Sequence, residues 1–375
     1  MKILLLNYEY PPIGGGAGNA TYNYAREFVK LGHNIVVLTS AYEKLYEYSN
    51  ENGVHLYRVP ALRRYQDRSN PFQMLAYNIS SIIFCKRIIK QYKIDKTIAF
   101  MSIPSGITAL SIKKLYKIPY IVSLRGGDVP GFVPEIDFFH NLISPLRRKV
   151  LEKASQIIAV SDGLAKLSEQ TDHIKVTTIH TGVNTDYFKP MPTIKETKEI
   201  TFIFSGRFAR QKNLFYIINQ FSLLVKECKA VKLILIGDGP DKEKMQTLIN
   251  ENNMSDIIII KHWMSKDELL IEYQNADCFI NASFIEGFSN SNIEAMSCGL
   301  AILASDVTGN NDLIQHEENG LLFSLDEENS LYHIMKKIVL DHDLLKTLKQ
   351  KSRETVCQEY TWQMSAKKYL ELIEK

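Results

Sequence analysis

The sequence predicts an α/β fold of two Rossmann-like, doubly wound domains in tandem. Three observations predict it. Short apolar runs alternate with helix-period segments from residue 2 onward, a polar, proline-containing stretch near residues 188–199 breaks the alternation, and a second series of the same kind follows. Buried strands alternating with helices are the pattern of a parallel sheet covered on both faces. The length of 375 residues suffices for two ordinary domains, and 45% hydrophobic with 23% charged residues is a soluble globular balance.

"KILLLNY" reads as the first buried strand, with only four apolar residues before Asn7, too few for the apolar core of a secretory leader. A Pro/Gly loop and the helix-period "NATYNYAREFVKLGH" lead to a second strand, "NIVVLT". "KTIAFM", "PYIVSLRGGD", "SQIIAVS" and "VTTIHTGVN" continue the series up to "FKPMPTIKETKE", which reads as a linker. "ITFIFSG", "VKLILIGDG", "IIIIKHW", "DCFINAS" and "LAILASD" form the second series, and "YTWQMSAKKYLELIEK" closes the chain as an amphipathic helix. The expected division is an N-terminal domain over 1–190, completed by the helix at 360–375, and a C-terminal domain over 198–359. The carboxyl ends of the two sheets are expected to face each other across a cleft, where such folds bind ligands.

Several classes of protein are disfavoured. No apolar run approaches the ~18 residues of a membrane span. The five cysteines are scattered, odd in number and without a C-x-x-C pair, so neither a disulfide framework nor a zinc site follows and a reducing cytosol is expected. Residues 1–190 hold 24 Lys+Arg against 15 Asp+Glu, whereas the remainder holds 21 against 27. A basic first half suits an anionic partner; uneven surface charge without a purpose is the open alternative. The basic residues form no aromatic-interleaved stripe, so no nucleic acid is expected.

Four stretches carry candidate chemistry. In "YPPIGGGAGNATY" the glycines sit between strand and helix, where backbone N–H groups can receive a phosphate or glycine can merely permit positive φ. The dinucleotide fingerprint fails there, because Asn19 stands where the third glycine is needed and no acid closes the second strand. "FSGRFARQKN" places Arg207 and Lys212 after a strand, where two cations could neutralise a diphosphate or be ordinary surface charges. "LILIGDGPDKEK" turns at Gly237 and Gly239. "IEGFSNSNIEAMSCG" sets Glu286 and Glu294 around a helix start, with Gly299 as its stop. Those acids could be acid and base, metal ligands, holders of ligand hydroxyls, or, for Glu294 with Ser291, a capping box. Asp341-His342-Asp343 reads as helix-start chemistry.

Together, "GRFARQKN", "GDGP" and "EGFSNSNIEAMSCGLAILASD", in that order behind a Gly-rich first loop, resemble the retaining nucleotide-sugar glycosyltransferases of family 4, which have the GT-B fold. The resemblance runs through nearly the whole chain. It implies transfer of a sugar from a nucleoside diphosphate, UDP before GDP, to an acceptor hydroxyl with anomeric retention and with no metal or other cofactor. It implies that Glu286 holds hydroxyls of the donor sugar, Glu294 binds the ribose, Arg207 and Lys212 stabilise the diphosphate, and Gly15 and Gly16 approach it from the other domain. Gly237, Gly239, Asn290, Ser291 and Asn292 complete the expected donor-binding set. The implied acceptors are glycans or polyprenyl-diphosphate-linked sugars in bacterial surface polysaccharide synthesis, at the cytoplasmic face of the plasma membrane.

The chain departs from that family at Arg125-Gly126-Gly127-Asp128, where the family often has His-Gly-x-Asp. Arginine cannot serve as a base at ordinary pH. The expected role is a grip on phosphate or hydroxyl with Asp128 as partner, which puts Arg125 and Asp128 with Arg207, Lys212 and Glu286 in the expected catalytic set; a surface salt bridge is the alternative. His180 reads as a packed or linker residue. His262-Trp263 lies near the nucleotide base or is simply packed. In "SPLRRKVLEKAS", Ser144 reads as a cap, Pro145 as first turn, and Arg147-Arg148-Lys149 as a basic face. That face contacts an anionic membrane or lipid diphosphate, or is the solvated side of a core helix. Rival functions are an epimerase or phosphorylase on the same fold, and a non-catalytic sugar-nucleotide-binding subunit.

Overall fold

The computed structural model describes residues 1–375 except 44, 46, 67–68, 134–136, 192–198 and 375. The chain divides into two units, Met1–Thr181 with Trp362–Lys375, and Gly182–Thr361. In the first unit the chain runs β1 (Lys2–Leu6), α1 (Gly16–Lys30), β2 (Asn34–Ser40), β3 (Tyr48–Glu51), β4 (Val54–Val59), α2 (Pro71–Tyr92), β5 (Lys96–Phe100), α3 (Ser105–Tyr116), β6 (Tyr120–Leu124), α4 (Asp137–Lys153), β7 (Gln156–Ala159), α5 (Asp162–Asp172) and β8 (Thr177–Thr178). The strands form one sheet in the order β3-β4-β2-β1-β5-β6-β7-β8, parallel except for β3. In β1, Ile3 to Leu6 are all fully buried, paired with Ile35–Leu38 on one side and Lys96–Ala99 on the other. A strand covered on both faces needs this unbroken apolar run.

The second unit runs β9 (Ile200–Ser205), α6 (Leu214–Glu227), β10 (Val231–Ile236), α7 (Lys242–Glu251), β11 (Ile258–Lys261), α8 (Lys266–Asn275), β12 (Cys278–Asn281), α9 (Asn290–Ser297), β13 (Ala301–Ser305), β14 (Leu321–Phe323), α10 (Ser330–Leu340) and α11 (His342–Glu359). Its parallel sheet has the order β11-β10-β9-β12-β13-β14. Strand order reverses between β9 and β12, and ligands of doubly wound sheets bind beyond the carboxyl ends of strands at such a switch point. The loops that leave β9 and β12 carry Arg207 and Glu286.

The last helix, α12 (Trp362–Glu374), belongs to the first unit. Its anchor is Tyr24 on α1, whose ring lies 5.2 Å from Trp362, 4.5 Å from Tyr369 and 5.8 Å from Phe100. The Tyr24 hydroxyl bonds Ser365 Oγ at 2.6 Å, and the Tyr369 hydroxyl bonds Ser123 Oγ on β6, also at 2.6 Å. Ser365 in turn donates to the His180 carbonyl, so His180 meets α12 through its backbone.

Three expectations are corrected. The break between units falls at Thr181–Gly182 rather than at 190–198. Segment 183–188 is tied to the second unit: Val183 N–H donates to the Tyr360 carbonyl, and Arg353 donates to the carbonyls of Thr185 and Phe188. Most of the expected linker, 192–198, lies outside the described residues. Helix α4 begins at Asp137, so Ser144 is no cap and Pro145 lies inside it. Arg147 is not on a basic face: it is buried, ion-paired to Asp172, with Nε donating 2.9 Å to the Asp128 carbonyl. Asp341 does cap α11, accepting from Leu344 N–H at 2.8 Å.

Removing the Tyr369 ring opens the α12 interface, whereas removing its hydroxyl breaks one buried bond. Tyr369→Ala is expected to lose about 3–5 kcal/mol and Tyr369→Phe about 1 kcal/mol in urea unfolding.

Candidate active site

The site in the second unit starts from a backbone contact. Gly237 and Gly239, in the turn after β10, lie against the turn after β9. A Cβ on Gly237 would fall 1.9 Å from the Gly206 carbonyl oxygen, and one on Gly239 would fall 2.3 Å from that of Phe208. Only glycine permits that approach. Phe208 N–H donates to the Asp238 carbonyl at 2.8 Å, and its ring is fully buried. Between these anchors Arg207 is exposed, with no side-chain partner among the described residues.

The same loop ends in a single 3-10 turn, Arg210–Lys212. Gln211 straps it to the loop after β12, accepting from Phe284 N–H at 3.0 Å and donating from Nε2 to the Ile285 carbonyl at 2.8 Å. This brings Lys212 Nζ into an ion pair with Glu286 Oε1. Oε1 also accepts from Ser283 Oγ at 2.7 Å and Asn281 Nδ2 at 3.4 Å. All three donors converge on one oxygen, and Oε2 takes no hydrogen bond from the described residues. Burying a carboxylate is costly unless it is paired and hydrogen-bonded, and Lys212, Ser283 and Asn281 meet that need.

Beneath Glu286 lies a closed amide cluster. Asn281 Nδ2 faces Ser289 Oγ at 3.2 Å and Asn292 Oδ1 at 3.0 Å; Asn292 Nδ2 donates to Asn310 Oδ1 at 3.0 Å; Asn310 Nδ2 donates to the Ser305 carbonyl at 3.1 Å. Asn292 and Asn310 are fully buried. Asn292, an expected donor contact, is therefore enclosed beneath the loop. Ser291 Oγ donates to the Ser205 carbonyl, and Asn290 stands half-buried at the start of α9.

The capping-box reading of Glu294 does not hold. Ser289 is the cap, accepting from Asn292 N–H at 3.3 Å. Glu294 lies within α9, and no described residue donates to its carboxylate. Burial pushes its pKa up to about 7, with Lys266 pulling the other way. Trp263, after β11, is 69% exposed, so the packed reading fails; neighbouring His262 takes part in a 2.9 Å bond with Lys242. Gly299 follows α9 at φ +77°, a helix stop as expected.

In the first unit, Asp128 is buried and fully engaged by backbone. Its Oδ1 accepts from Arg125 N–H at 2.8 Å and its Oδ2 from Ser102 N–H at 2.7 Å. The expected side-chain pair of Arg125 with Asp128 is not formed. The Arg125 guanidinium turns inward over the rings of Phe100 (5.0 Å) and Tyr24 (5.5 Å), with Nη1 3.4 Å from Thr181 Oγ1. Its Nε and Nη2 are buried with no hydrogen-bond partner among the described residues. Gly15 and Gly16 open α1, but Gly15 N–H is already taken by Glu9 Oε2 at 3.2 Å. Gly14 has φ +87°, and a Cβ there would lie 2.5 Å from the Glu9 carboxylate. Glu9, Asn281, Ser283 and Asn310 were not foreseen; for Asn281 and Ser283 the available signal was a polar residue at or just past the end of a buried strand. Among the described residues, no three His, Cys, Asp or Glu side chains gather to hold a metal.

Because the amide cluster is closed, Asn310→Leu strands the Asn292 amide, whose Nδ2 donates to Asn310 Oδ1. It is expected to cost about 1–3 kcal/mol in chemical denaturation.

Two family models match consecutive stretches of the chain. One, described as Glycosyltransferase Family 4, covers residues 14–187; the other, Glycosyl transferases group 1, covers 189–355. Alpha-monoglucosyldiacylglycerol synthase of Acholeplasma laidlawii is 24% identical over 405 residues, spanning 100% of this chain and 98% of that one. The solved sucrose-phosphate synthase of Thermosynechococcus elongatus superposes with TM-score 0.84 at 20% identity, over 100% of this chain and 98% of that one. The Anabaena protein HepE, solved in complex with UDP-glucose, superposes with TM-score 0.76 at 17% identity, over 100% and 99%. With both halves matched and the fold shared, the chain belongs to the family 4 glycosyltransferases and has the GT-B fold.

Proposed function

We propose that the protein moves a sugar from a nucleoside diphosphate, UDP in first place, to a hydroxyl of a glycan or lipid-linked acceptor, with anomeric retention and without a metal. The observation that carries this reading is the arrangement at the β9/β12 switch point. Lys212 is locked onto Glu286 Oε1, while Glu286 Oε2 and the Arg207 guanidinium have no partner among the described residues. A free carboxylate oxygen suits a sugar hydroxyl, and a free guanidinium beside a fixed ammonium suits a diphosphate. Glu294, without a protein donor, is the acceptor for ribose hydroxyls, and exposed Trp263 offers a face to the base. HepE's complex with UDP-glucose and the lipid product in the synthase's name support the donor and acceptor classes.

In the proposed reaction the acceptor oxygen bonds the anomeric carbon on the face that the diphosphate leaves. The bond from that carbon to the phosphate oxygen breaks, and the departing phosphate takes the acceptor's proton. Arg207 and Lys212 meet the charge that gathers on the leaving group. Arg125, caged by Phe100 and Tyr24, stays outside these steps, and Asp128 acts by shaping its loop.

A thermal-shift panel with UDP, GDP and ADP in EDTA tests donor and metal together: a shift with UDP is expected, of about 2.7 kcal/mol at a hundredfold excess over Kd. No shift with any of them, or one that needs added metal, counts against the reading. Arg207→Ala and Lys212→Ala are each expected to lower kcat/KM by about 2–4 kcal/mol of barrier, and a loss of only a few-fold in both would remove their role.

Glu294 gives a pH signature. Its folded-state pKa of about 7 lies above the ordinary 4.5, so the folded protein holds the extra proton between those values. Unliganded stability therefore rises as pH falls through 7 towards 4.5 and is flat above 7. Ribose binding to the ionised form runs the other way, so nucleotide affinity should rise as pH rises through about 7. In Glu294→Gln, calorimetric titration should show both dependences flattened.

A further inference from the structure

Helices α2 and α4 expose apolar side chains where a folded surface ordinarily shows polar ones. On α2, Phe72 is 82% exposed and Ile83 72%, with Leu75 and Ile79 exposed between them. Spaced by three and four residues, these four share one face of the helix. That same face continues into Lys86 and Lys90, with Arg87 beside them, all exposed. On α4 the order repeats: Phe138 (76%), Leu142 (71%) and Leu146 are exposed at four-residue steps, followed by exposed Lys149. The opposite face of α2, with Tyr77, Cys85 and Ile88, is buried in the unit. Helix α3 packs against both α2 and α4, so the two faces belong to one layer.

Both helices are crossovers between parallel strands, α2 from β4 to β5 and α4 from β6 to β7. A crossover helix runs back against its strands, so its N-terminal half lies at the sheet's carboxyl edge. The apolar halves of α2 and α4 are therefore at the edge where the Gly14–Gly16 loop leaves β1 and the Arg125–Asp128 loop leaves β6. The cations lie further along, toward the opposite edge.

We propose that the exposed faces of α2 and α4 dock the first unit on an anionic lipid bilayer, apolar halves inserted at the interface and the basic ends over lipid headgroups. This deepens the lipid-acceptor reading and rests on it: docking brings bilayer-borne acceptors to the edge that carries the first unit's loops. Charge selects the bilayer over a second copy of this chain. Helix α2 has no Asp or Glu in its 22 residues, and Lys86, Arg87, Lys90 and Lys149 have no ion-pair partner among the described residues. Face-to-face pairing of two copies would set these cations against apolar groups or one another, with few carboxylates to answer them. Apolar area beside unpaired cations is the pattern of an anionic interface.

The test uses the full chain with sedimenting vesicles of phosphatidylcholine alone and of equimolar phosphatidylcholine and phosphatidylglycerol. Wild type is expected to sediment with the anionic vesicles, to stay in solution with the neutral ones, and to release as salt rises. Ile79→Asp/Ile83→Asp should lower partitioning at least about tenfold, and Lys86→Gln/Lys90→Gln should weaken the preference for anionic lipid. The UDP thermal shift is read on the same samples and is expected unchanged in both variants. Wild type remaining in solution with both vesicles, or an aspartate variant that sediments like wild type, overturns the proposal. So does a wild-type dimer in light scattering that Ile79→Asp dissociates while vesicles go unbound. Vesicle binding without a UDP shift would leave docking standing and remove the donor reading; a UDP shift without vesicle binding would do the reverse.

Discussion

The buried carboxamide of Asn281 is the contact on which the second unit's site depends. It sits at the last position of β12, where the sheet order reverses, and reaches Glu286, Ser289, Asn292 and Asn310 at once. A buried amide left unpaired costs about 1–3 kcal/mol, so each member holds its neighbours in place. The consequence is that the loop 282–289 has one arrangement. Ser289 is set to cap α9, and Glu286 is set to point Oε1 at the protein and leave Oε2 free. A site assembled on such a cluster is preorganised before any ligand arrives.

Charge balance follows from the same geometry. Glu286 is buried, and it is kept in place by the Lys212 ammonium delivered on a 3-10 turn that Gln211 straps to the neighbouring loop. Arg207 is treated oppositely: the close approach of Gly237 and Gly239 holds its loop rigid at the backbone while leaving its side chain in solvent. One cation is paired within the unit, and the other has no side-chain partner among the described residues. Glu294 completes the contrast, since no described residue donates to its carboxylate and burial moves its pKa up to about 7 against the pull of Lys266.

The first unit buries cations for a different purpose. Arg147 joins α4 to the 125–128 loop through the Asp128 carbonyl and to α5 through Asp172. Arg125 fills an aromatic cage beside Tyr24, the residue that also receives α12. Both positions are structural in this sense: their charge organises backbone and rings within the unit. The basic residues at the ends of α2 and α4 face outward instead, as do Lys30, Lys114 and Lys117 elsewhere on the unit.

The sequence by itself determined the parts that local chemistry decides. Unbroken apolar runs specify doubly buried parallel strands, as in Ile3–Leu6. Gly237 and Gly239 mark a turn that admits no side chain, and the spacing from Glu286 to Glu294, taken with the cation-bearing loop, marked the family. Tertiary structure alone decided which charges are paired. Arg147 and Arg148 are adjacent in sequence, yet one is enclosed and the other exposed. Lys212 meets Glu286 across 74 positions of chain. The apolar face of α2 was equally invisible, because the periodicity of an amphipathic helix shows that a face exists and not what covers it. Burial and pairing depend on contacts between residues distant in sequence, and those contacts exist only once the sheet has set its strand order.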